Sequence, residues 1–275
     1  MKILLNTIAV FFILSMLCSS CAVIDRKLYS STQINTPSLQ QKNDHNVSVS
    51  VSSPSGFDLQ GSYAVTNRLA IVGGVFTYRN KDEEKNYSIF SSTRDSTFLL
   101  YRHKGFHIGA GGFFPLAKYS SSSLFLSVFG TYTNGEFRMN ETLFSSANPG
   151  VAKKNSYTSD INRWALQTSL HFYTKQFHQA LTTRYNYVAY QKVSTDYTTS
   201  EQQSYNLPPL GHSRWSSFLD IGFDTKIFFS KKEILGIQLF GSAAVRLNDK
   251  DFDFRYYPFR IGIGLVANSP FRKKK

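Results

Sequence analysis

Between Phe218 and Ala267 the side chains switch between oily and polar at nearly every residue, for longer than most soluble strands allow. Leu219, Ile221, Phe223, Ile227 and Phe229 alternate with Asp220, Asp224 and Lys226. After Ser230-Lys231-Lys232-Glu233, the run Leu235, Ile237, Leu239, Ala243, Val245 and Leu247 alternates with Gly236, Gln238, Ser242 and Arg246. A third run sets Tyr257, Phe259, Ile261, Ile263, Leu265 and Ala267 against Arg260, Gly262, Gly264 and Asn268. A period of two places each class on its own face of a strand. Strands of globular sheets average roughly 5–6 residues, whereas alternating segments of about ten, parted by turns, mark transmembrane β-barrels.

The remaining chain supplies seven more segments of this kind. Val47, Val49 and Val51 alternate with serines over 46–53, and Phe57, Leu59, Tyr63 and Val65 with Asp58, Gln60 and Ser62. Further strands are expected at Leu69–Tyr78, Gly105–Leu116, Leu124–Phe137, around Arg163–Phe172, and at His178–Gln191. Connections after the second, fourth, sixth and eighth strands are short. Those after the third, fifth and seventh are long and polar: 79–104, 138–157 and 192–213. Outer-membrane barrels have even strand numbers, short periplasmic turns and longer outer loops, so both termini fall in the periplasm in this reading. The expected fold is all-β: a single antiparallel up-and-down transmembrane β-barrel of about ten strands, with eight or twelve as alternatives.

Met1–Ser20 carries Lys2, an apolar run from Ile8 to Leu17, and small residues before Cys21. This is the plan of a secretory signal, too short to span a bilayer. Two cleavage readings stay open: simple secretion, or lipoprotein processing with Cys21 as the acylated (palmitate-bearing) first mature residue. Residues 22–45 show no sustained period and read as a periplasmic tether, followed by the barrel over 46–269 and a basic tail over 270–275. Leu17-Cys18-Ser19-Ser20-Cys21 resembles a bacterial lipobox, with Cys18 where leucine is usual. Together with Asn35-Thr36-Pro37, the Ser-Gly-Phe-Asp-Leu-Gln block at 55–60 and Tyr63-Ala64-Val65-Thr66-Asn67, it resembles small outer-membrane β-barrel lipoproteins of Bacteroidetes-type bacteria. The resemblance implies an envelope address and a barrel, and carries no activity.

The inward positions collect polar residues: Asp58, Gln60, Arg163, Gln167, His171, Arg184, Asn186, Asp220, Asp224, Lys226, Gln238, Arg246 and Arg260. About eight strands enclose only enough room for side chains, and open channels need 16–18. A mutually paired polar plug is therefore expected rather than a pore, since buried charges require partners. Trp164, Trp215, Tyr256 and Tyr257 read as an aromatic girdle at the lipid interface.

The formal charge of +13 comes from residues scattered over turns, loops and tail. No basic face is built, which argues against nucleic acid and for lipid headgroups, lipopolysaccharide phosphates or simple solubility. Barrel-assembly machinery is the other expected partner, and a monomer the expected state. No cofactor or metal is expected, because the six histidines are unpaired in spacing and the mature chain keeps no further thiol. Three matches to the glycosylation sequon, at Asn46, Asn86 and Asn140, are read as coincidence.

The function expected is structural or surface-interacting, without catalysis. A barrel enzyme acting on lipid or peptide at the cell surface is the alternative, with His212 and Asp196, Asp249, Asp251 or Asp253 as outer candidates. A soluble periplasmic β-barrel binder is the other; it requires Leu219, Ile221 and Phe223 to point inward.

Overall fold

Alternation over long runs forces each strand to turn one face to lipid, and closing the sheet removes its unpaired edges. The computed structural model describes residues 26–87, 94–144, 151–208, 214–229, 234–247 and 255–268. Lys27–Ser30 is β1, followed by β2 (His45–Ser53), β3 (Gly56–Ala64), β4 (Leu69–Tyr87), β5 (Arg94–Lys118), β6 (Ser122–Phe144), β7 (Ala152–Thr174) and β8 (Phe177–Thr195). Helix α1 (Thr199–Ser204), β9 (Arg214–Phe228), β10 (Leu235–Arg246), β11 (Arg255–Tyr257) and β12 (Phe259–Asn268) complete the chain. Ten of these strands, β2 to β10 and β12, form one closed antiparallel barrel in up-and-down order, sealed by β10 on β12 and β12 on β2. No described helix is long and apolar enough to cross a membrane.

Sidedness follows the alternation. Ile221 is 42% exposed on the outer surface while Asp220, its neighbour, is 0% exposed inside. Val47, Val49, Val51, Leu239, Ile261, Ile263 and Leu265 join Ile221 outside. That arrangement excludes the soluble binder with an apolar interior, and defines an integral outer-membrane barrel. Ile263 lies midway along β12, so Ile263→Arg sets a guanidinium in hydrocarbon. It is expected to cost about 2–4 kcal/mol, read as a lowered denaturation midpoint in lipid vesicles.

Strands β5, β6 and β7 run far beyond the membrane band. Tyr132, Trp164, Tyr187 and Trp215 form a girdle on the outer surface, with ring centroids 5.4, 6.1 and 5.3 Å apart in succession. Beyond it the same face carries Asn134, Glu136, Arg138, Asp160 and Asn162, while Phe137, Met139, Tyr157 and Ile161 point inward and are buried. The alternation has inverted: polar outside and apolar inside is what a sheet surrounded by water requires. Most of 79–104 and 138–157, expected as loops, is therefore strand, including Lys81-Asp82-Glu83-Glu84-Lys85 within β4. The extensions close around an apolar core of Leu28, Leu99, Tyr101, Met139, Tyr190, Leu207 and Phe218.

The largest departure concerns the expected tether. Residues 27–39 are not outside the barrel but within it, almost continuously buried. β1 pairs in parallel with β11 at the end where the strands are extended, which we call the outer mouth. From there the segment descends through the lumen. Asn43 N–H then donates to the Ala64 carbonyl, and Lys42 N–H to Asn67, at the end of the short turns. Pro258 separates β11 from β12, so Tyr256 and Tyr257 turn inward instead of joining the girdle: Tyr256 packs on Phe218 and Tyr257 lies over Lys27.

Candidate functional site

Two polar constellations lie inside the barrel, one within the membrane band and one at the outer mouth. In the first, Arg184 forms a buried ion pair with Asp220, its Nη2 at 2.6 Å and Nε at 3.0 Å from Oδ2. Asn186 donates to the same oxygen at 3.0 Å. Arg260 pairs with Asp58 at 2.6 Å and lies 3.9 Å over the Tyr78 ring, whose hydroxyl donates to Asp58 at 2.7 Å. Asp224 accepts from Gln238 and from Thr36. Gln60 and Gln167 donate to carbonyls of residues 33 and 35, Lys226 to that of Thr36, and His171 Nε2 is hydrogen-bonded to Ser127 Oγ at 2.7 Å. Arg163 reaches Thr133 at 2.9 Å. Arg246 belongs elsewhere, at the outer end, where its backbone N–H meets the Tyr256 hydroxyl.

The inward positions thus meet in the lumen, but much of their hydrogen bonding goes to the threaded segment rather than across the barrel. The period-two pattern finds the wall residues; it carries no sign of their partner, because Ser31, Thr32, Gln33, Asn35 and Thr36 have the composition of a linker. Cys21 lies outside the described residues, as do His212, Asp249, Asp251 and Asp253. Asp196 accepts from Ser156 Oγ at 2.5 Å on the exposed rim.

The outer-mouth constellation was not legible in sequence. Glu141, on the inner face of β6, is 1% exposed; it accepts the Tyr197 hydroxyl at 2.7 Å and pairs with the guanidinium of Arg26. That guanidinium also lies 3.3 Å over the Tyr205 ring. Lys27 goes to Asp82 on β4, one strand removed from Glu141 across Leu99, its Nζ 2.9 Å from that carboxylate and 4.6 Å over Tyr257. Asn80 and the Tyr257 hydroxyl hold Asp82 at 3.1 and 3.2 Å. Two consecutive cations are each taken by one carboxylate and one aromatic face, the combination that binds desolvated cations well. Burial pushes the Tyr197 phenol well above its ordinary range, so it remains a donor to Glu141.

Helix α1 fixes this side of the mouth. Thr198 and Glu201 form a capping box, satisfying backbone donors at the helix start. The Lys153 ammonium beside it, with Thr198, holds the Glu201 carboxyl down to about 2. Tyr197 and Tyr205 flank the helix and pack edge to face at 5.8 Å, which presents them to Glu141 and Arg26.

Fold and lumen together define an integral outer-membrane β-barrel with a threaded interior and a cation-binding outer mouth. No family model and no curated protein matches the chain. Among solved structures it is similar to the outer membrane protease OmpT of Escherichia coli, at 10% identity over 83% of this chain and 94% of that one, with a TM-score of 0.47. It is also similar to OmpT, an outer membrane protein of Vibrio cholerae, at 9% identity over 82% and 96%, with a TM-score of 0.21. Likeness at these values extends to the barrel fold. The expectation of a purely structural or surface-interacting barrel without catalysis is corrected here. At the mouth one buried carboxylate, Glu141, and one partly open to water, Asp82, face a seated peptide strand, which is more than a purely structural wall needs.

Proposed function

We propose that the chain is an outer-membrane barrel enzyme acting on peptide at the cell surface, with its working site at the outer mouth. The observation that carries this reading is the seat of Arg26 and Lys27: an extended stretch paired to β11, its cations on Glu141 and Asp82. Strand pairing supplies affinity without regard to sequence, and alternating side-chain pockets supply selectivity. The chain's own segment displays the pose of a basic peptide substrate. Glu141, buried and oriented by Tyr197, anchors one cation. Asp82, partly open to water and held by Asn80 and Tyr257, is the candidate base: it takes a proton from water attacking the adjacent amide carbonyl and passes it to the departing amine nitrogen as the C–N bond breaks, leaving a carboxylic acid and an amine.

Barrel lacking residues 22–30, which frees the mouth, is expected to cleave peptides carrying an Arg-Lys pair, with new termini read by mass spectrometry. Glu141→Gln removes the charge-assisted contact and is expected to lower kcat/KM at least about tenfold. Capture of such peptides with no new termini would keep the seat and remove the catalysis; absence of capture would remove both.

The address has finer features in the same reading. Met1–Ser20 is an export signal and Cys21 the acylated first mature residue, supported by the lipobox-like stretch before it and the resemblance to envelope lipoproteins. The closed sheet supports insertion by the barrel-assembly machinery. The excess of Lys and Arg favours contact with lipopolysaccharide phosphates.

A further inference from the structure

We propose that the membrane-embedded lumen is a binding channel for one extended polypeptide strand, recognised through its backbone carbonyls and its small polar side chains together, and that residues 31–38 occupy it in cis. Six successive or nearly successive carbonyls of this segment accept from the wall. Arg260 donates to Ser31 at 2.6 Å, Arg184 to Thr32 at 2.8 Å, and Gln60 to Gln33 at 3.2 Å. Gln167 donates to Asn35 at 2.7 Å, Lys226 to Thr36, and Tyr173 to Pro37 at 3.4 Å. These donors come from five wall strands, β3, β7, β8, β9 and β12, so the strand is gripped around its circumference rather than added to an edge.

Charge explains why a backbone suits this channel. Among the described lumen residues, four cations (Arg163, Arg184, Lys226 and Arg260) face three carboxylates, Asp58, Asp220 and Asp224. Arginine alone offers five donors, and carboxylates in that number cannot absorb them all. Peptide carbonyls supply neutral acceptors with no added charge, which a low-dielectric lumen favours. The segment's side chains are held as closely: Arg184 also donates to the Ser31 and Thr32 hydroxyls, Ser50 to Gln33 Oε1 and Lys226 to Ser38 Oγ, while Asn35 Nδ2 donates to the Gly61 carbonyl. Ser31 and Thr36 hydroxyls touch Asp220 and Asp224, and Ile34 lies over Gly222, where a Cβ would meet its Cδ1 at 2.7 Å. The ligand class is therefore an extended strand of small polar residues, entering with its N-terminal end toward the outer mouth. This inference stands apart from the cation seat, since none of its contacts involves Arg26, Lys27, Glu141 or Asp82.

The test uses the full chain carrying a site-specific protease sequence between Gln41 and Lys42, both exposed at the periplasmic end. After folding and cutting, the barrel is challenged with a labelled synthetic peptide of residues 28–41, which lacks Arg26 and Lys27. Labelled peptide is expected to replace the cut segment and stay with the barrel through gel filtration. A peptide with residues 31–38 in scrambled order should compete at least about tenfold less well, because the side-chain contacts encode an order that the carbonyls do not. In the cut chain, Lys226→Met removes a charged donor from Thr36 and Ser38 and should weaken retention at least about tenfold. A cut barrel that takes up no peptide overturns the proposal, as does a scrambled peptide that competes as well as the native order. Undiminished retention with Lys226→Met overturns it as well. Loss of peptide cleavage at the mouth would leave these results standing.

Discussion

Asp220→Ala is expected to destabilise the barrel by about 3–5 kcal/mol, because it strands a guanidinium that has no water to return to. Asp220 Oδ2 accepts from Arg184 twice, from Asn186 at 3.0 Å and from Ser31 at 2.8 Å, and the carboxylate is fully buried. Without it Arg184 retains the Thr32 carbonyl and the Ser31 and Thr32 hydroxyls, all neutral. A buried pair contributes little net stability over apolar residues of the same size, so the penalty lies in breaking it rather than in lacking it. The double variant Asp220→Ala with Arg184→Met should therefore recover most of the loss, a coupling the single variants cannot predict. Urea titration in lipid vesicles, followed by heat-modifiable gel mobility, measures all three. A single-variant cost below about 1 kcal/mol would mean that water or a relaxed wall already solvates Arg184.

The same pair shows how much of the molecule could be read from its residues. Asp220 and Arg184 are legible as inward groups because Leu219, Ile221, Leu181 and Tyr185 flank them at a period of two, and lipid enforces that period. Strand number and order follow from the same rule. The rule fails above the girdle, where water replaces lipid outside. On β6 the outward series is apolar up to Tyr132 and then becomes Asn134, Glu136, Arg138. A phase inversion of this kind resembles a loop when one phase is assumed throughout. Glu141 lies on the inverted stretch, so the mouth was lost with it. The threaded segment was missed for a different reason. A strand surrounded by polar wall on every side has no apolar face, so burial leaves no periodic trace in Ser31–Ser38. Its parallel pairing with β11 joins residues more than two hundred positions apart, which no local pattern can report.

An epitope inserted between Ala22 and Val23 is expected to be labelled by antibody on intact cells, whereas one placed after Asn268 should be labelled only after permeabilisation. Both the barrel's first strand and its last strand terminate at the short-turn end, His45 beside Tyr63 and Asn268 beside Asn46. Strand parity alone would put the N-terminus in the periplasm with the C-terminus. Threading reverses this for the N-terminus: residues 31–39 cross the lumen, and Arg26 sits at Glu141, in the extension beyond the girdle. The first tag lies within four residues of Arg26 in sequence, so it reports the side on which Arg26 sits. The difference expected is all or none, which makes the two-tag comparison decisive. Labelling of neither tag before permeabilisation would place Arg26 on the inner side and refute the threaded direction. Labelling of the C-terminal tag alone on intact cells would invert the whole barrel and move the cation seat of Glu141 and Asp82 to the periplasm.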